Sequence, residues 1–153
     1  MDNPACNDIL ISLHPEHSKN ILSGRKTVEL RRRRLNIPPG TRVWIYTKQP
    51  RSRVDAYAIV SEIHEGSQDE LWTKFGSQVA ISRSAFDNYL SGSETAYAIV
   101  FSSVSLLRRA IGLDEIRQKV ANFHPPQFFK RLEPDSVELA MLCSSTSALE
   151  TDY

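Results

Sequence analysis

Apolar positions along the chain fall into short runs separated by turn residues, and their spacing switches between a period of two and a period near 3.6. Ile9 to Leu13 is an apolar run that predicts a first strand. It meets Pro15, which suits the first turn of a helix, and the helix from Pro15 to about Ser23 ends at Gly24, where a left-handed cap costs glycine nothing. From Lys26 to Arg33 the chain alternates, with Lys26, Val28, Leu30 and Arg32 on one face and Thr27, Glu29, Arg31 and Arg33 on the other. Pro38-Pro39-Gly40 is a turn, and the β-branched and aromatic stretch Val43 to Thr47 predicts the next strand.

Val54 to Ile63 reads as a longer strand. Asp69 is placed to cap a short helix carrying Leu71, Trp72 and Phe75 on one face, stopped by Gly76. Ser84 with Asp87 three residues on has the form of a capping box before Phe86, Tyr89 and Leu90, and Gly92 closes that helix. Thr95 to Leu107 predicts a long or bent central strand, and Leu113, Ile116 and Val120 fall on one helical face. His124-Pro125-Pro126-Gln127 interrupts the chain before Phe128, Phe129 and Leu132, which are expected to pack back onto the body. Five to six strands and three to four short helices without β-α-β alternation predict an α+β fold, a small mixed β-barrel with helices at its flanks. The expected organisation is a flexible segment 1–8, one domain over 9–132, and a C-terminal extension 133–153 whose Ser/Thr-rich end from Cys143 is disordered.

Composition bounds this picture without changing it: 153 residues, 41% hydrophobic and 24% charged, describe an ordinary globular domain. Charge does change it. The net value of +1 by itself argues against a nucleic-acid partner. Resolved along the chain, residues 25 to 53 hold ten bases against the single acid Glu29, a segment of +9 balanced by −8 elsewhere. The two cysteines, Cys6 and Cys143, are far apart and outside any metal-ligand spacing, which suggests reduced thiols and a cytoplasmic location. The start of the chain lacks a signal-peptide pattern, and no apolar run approaches the roughly 18 residues of a membrane span.

Gly24-Arg25-Lys26-Thr27-Val28-Glu29-Leu30-Arg31 resembles the Gly-x-Lys-x-x-Glu-x-Arg signature of ASCH domains, members of the PUA-like superfamily. It follows a first strand and a short helix, as in that family. Ile45-Tyr46-Thr47 with Pro50, the two helices before Ala98-Ile99-Val100, and Pro125-Pro126-Gln127-Phe128 extend the resemblance over about residues 9 to 132. It implies a barrel of five to six strands with a cleft beside the motif that binds RNA or a modified nucleoside. A stand-alone member of bacterial or archaeal type would act in RNA metabolism or in transcriptional regulation, with no cofactor and a monomer favoured.

The residues themselves carry a compatible reading. Glu29 and Arg31 are two apart in a strand and share a face, so they can pair. Arg31 and Arg33 offer planar forks that hold phosphate through two parallel hydrogen bonds. Lys26 lies just past Gly24, where the backbone can approach a ligand closely, with the Thr27 hydroxyl beside it. Glu29, a lone acid among six bases in residues 25 to 34, can accept from a base edge or an exocyclic amine. Trp44 and Tyr46 share a strand face; Trp44 is assigned to the core and Tyr46 is the candidate to stack a base, while Tyr57 and Trp72 are packing residues. The expected nucleic-acid-binding set is therefore Lys26, Thr27, Glu29, Arg31, Arg33 and Tyr46, with Arg32, Arg34, Arg51 and Arg53 steering a polyanion toward it. The competing reading makes the Arg31–Arg34 run a solvated strand end and Glu29–Arg31 a structural pair at the barrel mouth.

Whether the chain is an enzyme stays open at this level. One branch of small bacterial ASCH proteins consists of amidohydrolases that remove the acetyl group of N4-acetylcytidine, using a Lys, a Thr three residues later and a Glu from the helical insert. Lys26 fits, but Glu29 stands where the Thr belongs and Thr27 leaves on the opposite face. None of Asp69, Glu70 and Asp87 is a clear equivalent of the insert Glu. A ribonuclease would need a general base, for which His14, just after the first strand, is the candidate, beside Lys26 and Glu29. His14 and His17 can share a helix face but have no third ligand in the pattern, so no metal site is expected.

Overall fold

The computed structural model describes residues 7–146; what was expected of residues 1–6 and of 147–153 lies outside them. In chain order the elements are β1 (Asp8–Leu13), α1 (Pro15–Leu22), β2 (Val28–Arg31), β3 (Arg42–Thr47), β4 (Arg53–Gly66), α2 (Gln68–Phe75), α3 (Arg83–Leu90), β5 (Ala96–Gly112), α4 (Leu113–Lys119), β6 (Phe129–Arg131) and α5 (Val137–Cys143). The six strands form one sheet in the order β2-β5-β4-β3-β1-β6. Only β1 and β3 run parallel; every other neighbouring pair is antiparallel.

Two long central strands set the shape. β4 has 14 residues and β5 has 17, and their register shifts at Val54/Ala56, Ile59/Val60 and Val60/Glu62. Such irregularities bend a strand pair and increase its twist, which here curls the sheet into a half-barrel. Its concave side is filled by Ile9, Ile11, Leu13, Val43, Ile45, Ile99 and Phe101, closed by Ile21 of α1 and by Leu35 and Ile37 of the β2–β3 connection. Leu10, Trp44, Tyr46 and Val54 point the other way and are covered by Ile116 of α4 and Leu139 and Leu142 of α5. Val28, Leu30 and Ala98 meet Leu71 and Phe75 of α2 and Phe86 and Leu90 of α3. β1 is thus buried on both faces, which is why its sequence is a run and not an alternation.

The α+β class and the strand count follow the sequence pattern, and several details differ. Ser67 and Glu70, not Asp69, cap α2, through a reciprocal pair of side-chain to backbone hydrogen bonds. Ser82, not Ser84, caps α3; Asp87 instead accepts from Arg83 and Gln68. β4 and β5 run on past the expected ends to Gly66 and Gly112. A fifth helix, α5, follows residue 132 and is capped by Ser136. β2 is only four residues long, so Lys26 and Thr27 precede it and Arg32, Arg33 and Arg34 follow it.

β2 and β6 are the two sheet edges, and no pairing joins them among the described residues. The curl nevertheless brings them near each other: Arg31 Nη1 of β2 donates to the Phe128 carbonyl, one residue before β6, at 3.5 Å. The half-barrel therefore has a seam, and the motif residues stand along it.

Candidate nucleic-acid site at the seam of the half-barrel

The chain reaches the seam through a fixed turn. α1 ends with Ser23 and Gly24, which at φ +85° takes the left-handed conformation that a side chain would strain. The Lys26 N–H then bonds the Asn20 carbonyl at 2.9 Å, and the N–H groups of Thr27 and Val28 both reach the Gln78 carbonyl. This anchoring turns Lys26 out of the strand alternation. Its side chain, only 3% exposed, lies beside Glu29, not on the face opposite to it as a regular strand would require.

Lys26 Nζ donates to the Val79 carbonyl at 3.1 Å and lies 3.4 Å from Glu29 Oε1. Glu29 Oε2 lies 3.2 Å from Arg31 Nη2. The three side chains are almost wholly buried and carry two positive charges against one negative. An incompletely neutralised cation in a medium of low dielectric attracts an anion far more strongly than a surface arginine does.

A cavity of about 500 Å³ opens beside this triad. Ser12 at the end of β1, His14 and His17 at the start of α1, and Tyr89 of α3 share its wall with Lys26, Glu29 and Arg31. Three buried polar atoms on this wall have neither a hydrogen-bond partner nor an ion-pair partner, namely Ser12 Oγ, His17 Nδ1 and Arg31 Nε, while Arg31 Nη2 meets only the Glu29 carboxylate. The other buried polar atoms without a hydrogen bond among the described residues, on Arg53, Asp55 and His64, lie in ion pairs away from this cavity. Buried polar groups are normally satisfied, so a convergence of unsatisfied ones in a single cavity marks a place built to meet something polar.

Protonation states reinforce this. Burial pushes the His17 imidazole below its ordinary pKa, and the Lys26 ammonium pushes it further; Glu29 and Glu16 oppose the shift in part. His17 is thus held neutral, with an acceptor lone pair available. Burial raises the Tyr89 phenol above its ordinary value against the influence of Arg31, so it stays protonated and donates a hydrogen bond to the Leu30 carbonyl at 3.4 Å.

A second cavity, of about 700 Å³, lies across Arg31 and is lined by Arg31 to Arg34, Tyr89 and Phe128. Arg32 is tied to Ser93 Oγ and the Ser91 carbonyl, and Arg34 to Glu65 Oε1 at 2.7 Å. Arg33 makes no hydrogen bond or ion pair among the described residues; its guanidinium carbon sits 4.5 Å from the centre of the Phe128 ring.

The structure therefore gathers Lys26, Glu29, Arg31 and His14 at one cavity and places Arg33 in the next. Thr27 lines neither cavity. Tyr46 is 4% exposed and packs among Leu10, Trp44 and Ile111, so the expected stacking residue is a core residue. The exposed ring faces at the seam belong to Tyr89 and Phe128. In the sequence Phe128 is expected to pack back onto the body and Tyr89 is placed in the third helix with no role of its own. Ser12 and His17 are not among the expected site residues; the three-residue spacing of His14 and His17 is visible in the sequence, but only His14 stands there as a candidate, for a general base. Among the described residues no group of three or more His, Cys, Asp or Glu is arranged to hold a metal ion.

No protein-family model matches the chain. It is 36% identical, over 97% of its own length and 99% of the relative's, to an ASCH domain-containing ribonuclease of Zymomonas mobilis subsp. mobilis. The crystal structure of ASCH from Zymomonas mobilis superposes with a TM-score of 0.84 at 36% identity, covering 92% of this chain and 96% of the other. The N-terminal domain of Staphylothermus marinus McrB shares the fold alone, with a TM-score of 0.54 at 10% identity over 90% of this chain and 93% of that one.

Proposed function

The chain belongs to the ASCH domain family, and from that membership we propose that it binds RNA in the seam cavity and cleaves it there. One observation carries the reading: Arg31 Nε, His17 Nδ1 and Ser12 Oγ are unpartnered polar atoms of residues lining a single cavity beside a buried cluster of net positive charge. A phosphodiester answers that set, because its two free oxygens accept from a guanidinium fork. The similarity to a protein described as a ribonuclease supports the same chemistry.

In this reading Arg31 holds the scissile phosphate and Lys26 adds positive charge where the transition state gathers negative charge. His17 Nδ1 takes the proton from the ribose 2′-hydroxyl as the 2′-oxygen bonds to phosphorus. The bond from phosphorus to the 5′-oxygen of the next nucleotide breaks, and that oxygen is protonated from His14, whose ring lies 6.4 Å from that of His17. The products are a 2′,3′-cyclic phosphate and a free 5′-hydroxyl. Glu29 positions both cations.

Single-stranded RNA labelled at its 5′ end tests this. The wild type should bind at low salt and release fragments ending in cyclic phosphate. Arg31→Ala should weaken binding about ten-fold, the effect of losing a hydrogen-bonded charged partner, whereas His17→Gln should keep binding and lose cleavage. Absence of binding, or cleavage unchanged in both variants, would overturn the proposal.

A further inference from the structure

Arg31, Tyr89 and Phe128 line both seam cavities, so the two spaces are adjoining rooms that share one wall. The second room has what a nucleobase needs. Phe128 is 51% exposed, an uncommon state for a ring of that size, and Arg33 lies over it at 4.5 Å. Arg33 alone of the four consecutive arginines has no hydrogen bond or ion pair among the described residues. An exposed ring with a guanidinium over its face makes a cationic aromatic platform, and such platforms hold bases without regard to their identity.

We propose that the second cavity is the subsite for the nucleoside on the 5′-oxygen side of the phosphate held by Arg31, with its base on the Arg33–Phe128 platform. This rests on the RNA reading of the first cavity and adds a substrate class to it. The first cavity takes the nucleoside whose 2′-hydroxyl faces His17, Arg31 in the shared wall takes the linking phosphate, and the second cavity takes the next nucleoside. The recognised unit is then a dinucleotide step in unpaired RNA, since a base that stacks on protein must have a free face. With its guanidinium carbon over the Phe128 ring, Arg33 still has its N–H groups unengaged among the described residues, available to the following phosphate.

Two ligands separate the subsites. A ribonucleoside 3′-monophosphate fills the first cavity and the phosphate position. A dinucleoside phosphate with a 2′-O-methyl group on its first sugar adds the second nucleoside and cannot be cleaved. The wild type should bind the dinucleotide roughly 5- to 100-fold more tightly than the monophosphate, the range given by one stacked base. Arg33→Ala should remove most of that advantage and leave monophosphate binding unchanged; Phe128→Tyr, which keeps a ring face, should retain it. Equal affinity of the wild type for both ligands, or an equal loss on both in Arg33→Ala, would overturn the subsite. Monophosphate binding that is absent, or indifferent to Arg31→Ala, would instead overturn the RNA reading of the first cavity and the subsite with it.

Discussion

Glu29 stands between two cations that would otherwise repel each other in a largely buried position at the cavity wall. With Lys26 at 3.4 Å and Arg31 at 3.2 Å it fixes both heads but neutralises only one charge. The same arrangement governs His17, whose proton is disfavoured first by burial and then by Lys26. This has a consequence for stability. As pH falls through the ordinary histidine value near 6.5, the unfolded chain takes up a proton at His17 before the folded chain does. The unfolded state then binds more protons, and stability drops as pH falls from about 6.5 toward the lowered folded value. Urea denaturation of wild type and His17→Gln at pH 7.5 and at pH 5.5 should show a smaller acid loss in the variant; equal losses would remove His17 from the account. The triad was legible in the sequence because a motif encodes it at close spacing. The burial of Lys26, the lowered pKa of His17 and the pairing of Phe128 with Arg33 were not, because each depends on how the folded chain surrounds the residue: Val79 accepts from Lys26, burial and then the Lys26 ammonium act on His17, and Phe128 meets Arg33 across most of the sequence.

At the level of elements, periodicity located nearly everything that packs one face against a single neighbour. β3, α1 and α4 stand where their patterns put them. The failures have a common cause in side chains that compete for the same role. Ser67, Asp69, Ser82 and Ser84 are all capable caps, and the backbone selected Ser67 and Ser82 because each leaves a Glu70 or Ala85 N–H within reach. α5 escaped notice because it is short and its apolar face, Leu139 and Leu142, is flanked by serines and threonines. It nevertheless closes the cluster around Leu10, Trp44 and Ile116. Leu142, 1% exposed, is a direct probe: Leu142→Ala should lower the free energy of unfolding by about 2–5 kcal/mol. A loss under about 0.5 kcal/mol, the level of an ordinary surface substitution, would show that α5 does not belong to the folded unit.

For the molecule as a whole, charge distribution matters more than charge. Of the ten bases between residues 25 and 53, Lys26, Arg31, Arg32, Arg33, Arg34 and Lys48 line the two seam cavities. Arg51 and Arg53 are drawn to Asp55, and Arg42 to Asp8. The basic segment is thus only partly a binding surface, a division that composition could not show. Two or three phosphates at the seam should make the logarithm of affinity for single-stranded RNA fall with the logarithm of salt concentration at a slope of about −1.4 to −2.1, near −0.7 for each phosphate. Titrations from low to moderate salt will measure it, and Arg33→Ala should reduce the slope by about one phosphate's worth. A slope near zero would show that charge contributes little.

The seam also bears on self-association. Each sheet edge offers backbone groups to any passing strand, and a half-barrel that never zips shut keeps two such edges in the same molecule. Here one edge is four residues long, ends in Arg31 and runs into three more arginines, and the other is three residues long and carries Lys130 and Arg131. Like charges on both lips repel a second copy that would insert its own edge, while they draw in a polyanion. Guarding the unpaired edges and gripping a phosphate are one requirement, so replacing several of these arginines together would make the protein prone to aggregate as well as unable to bind.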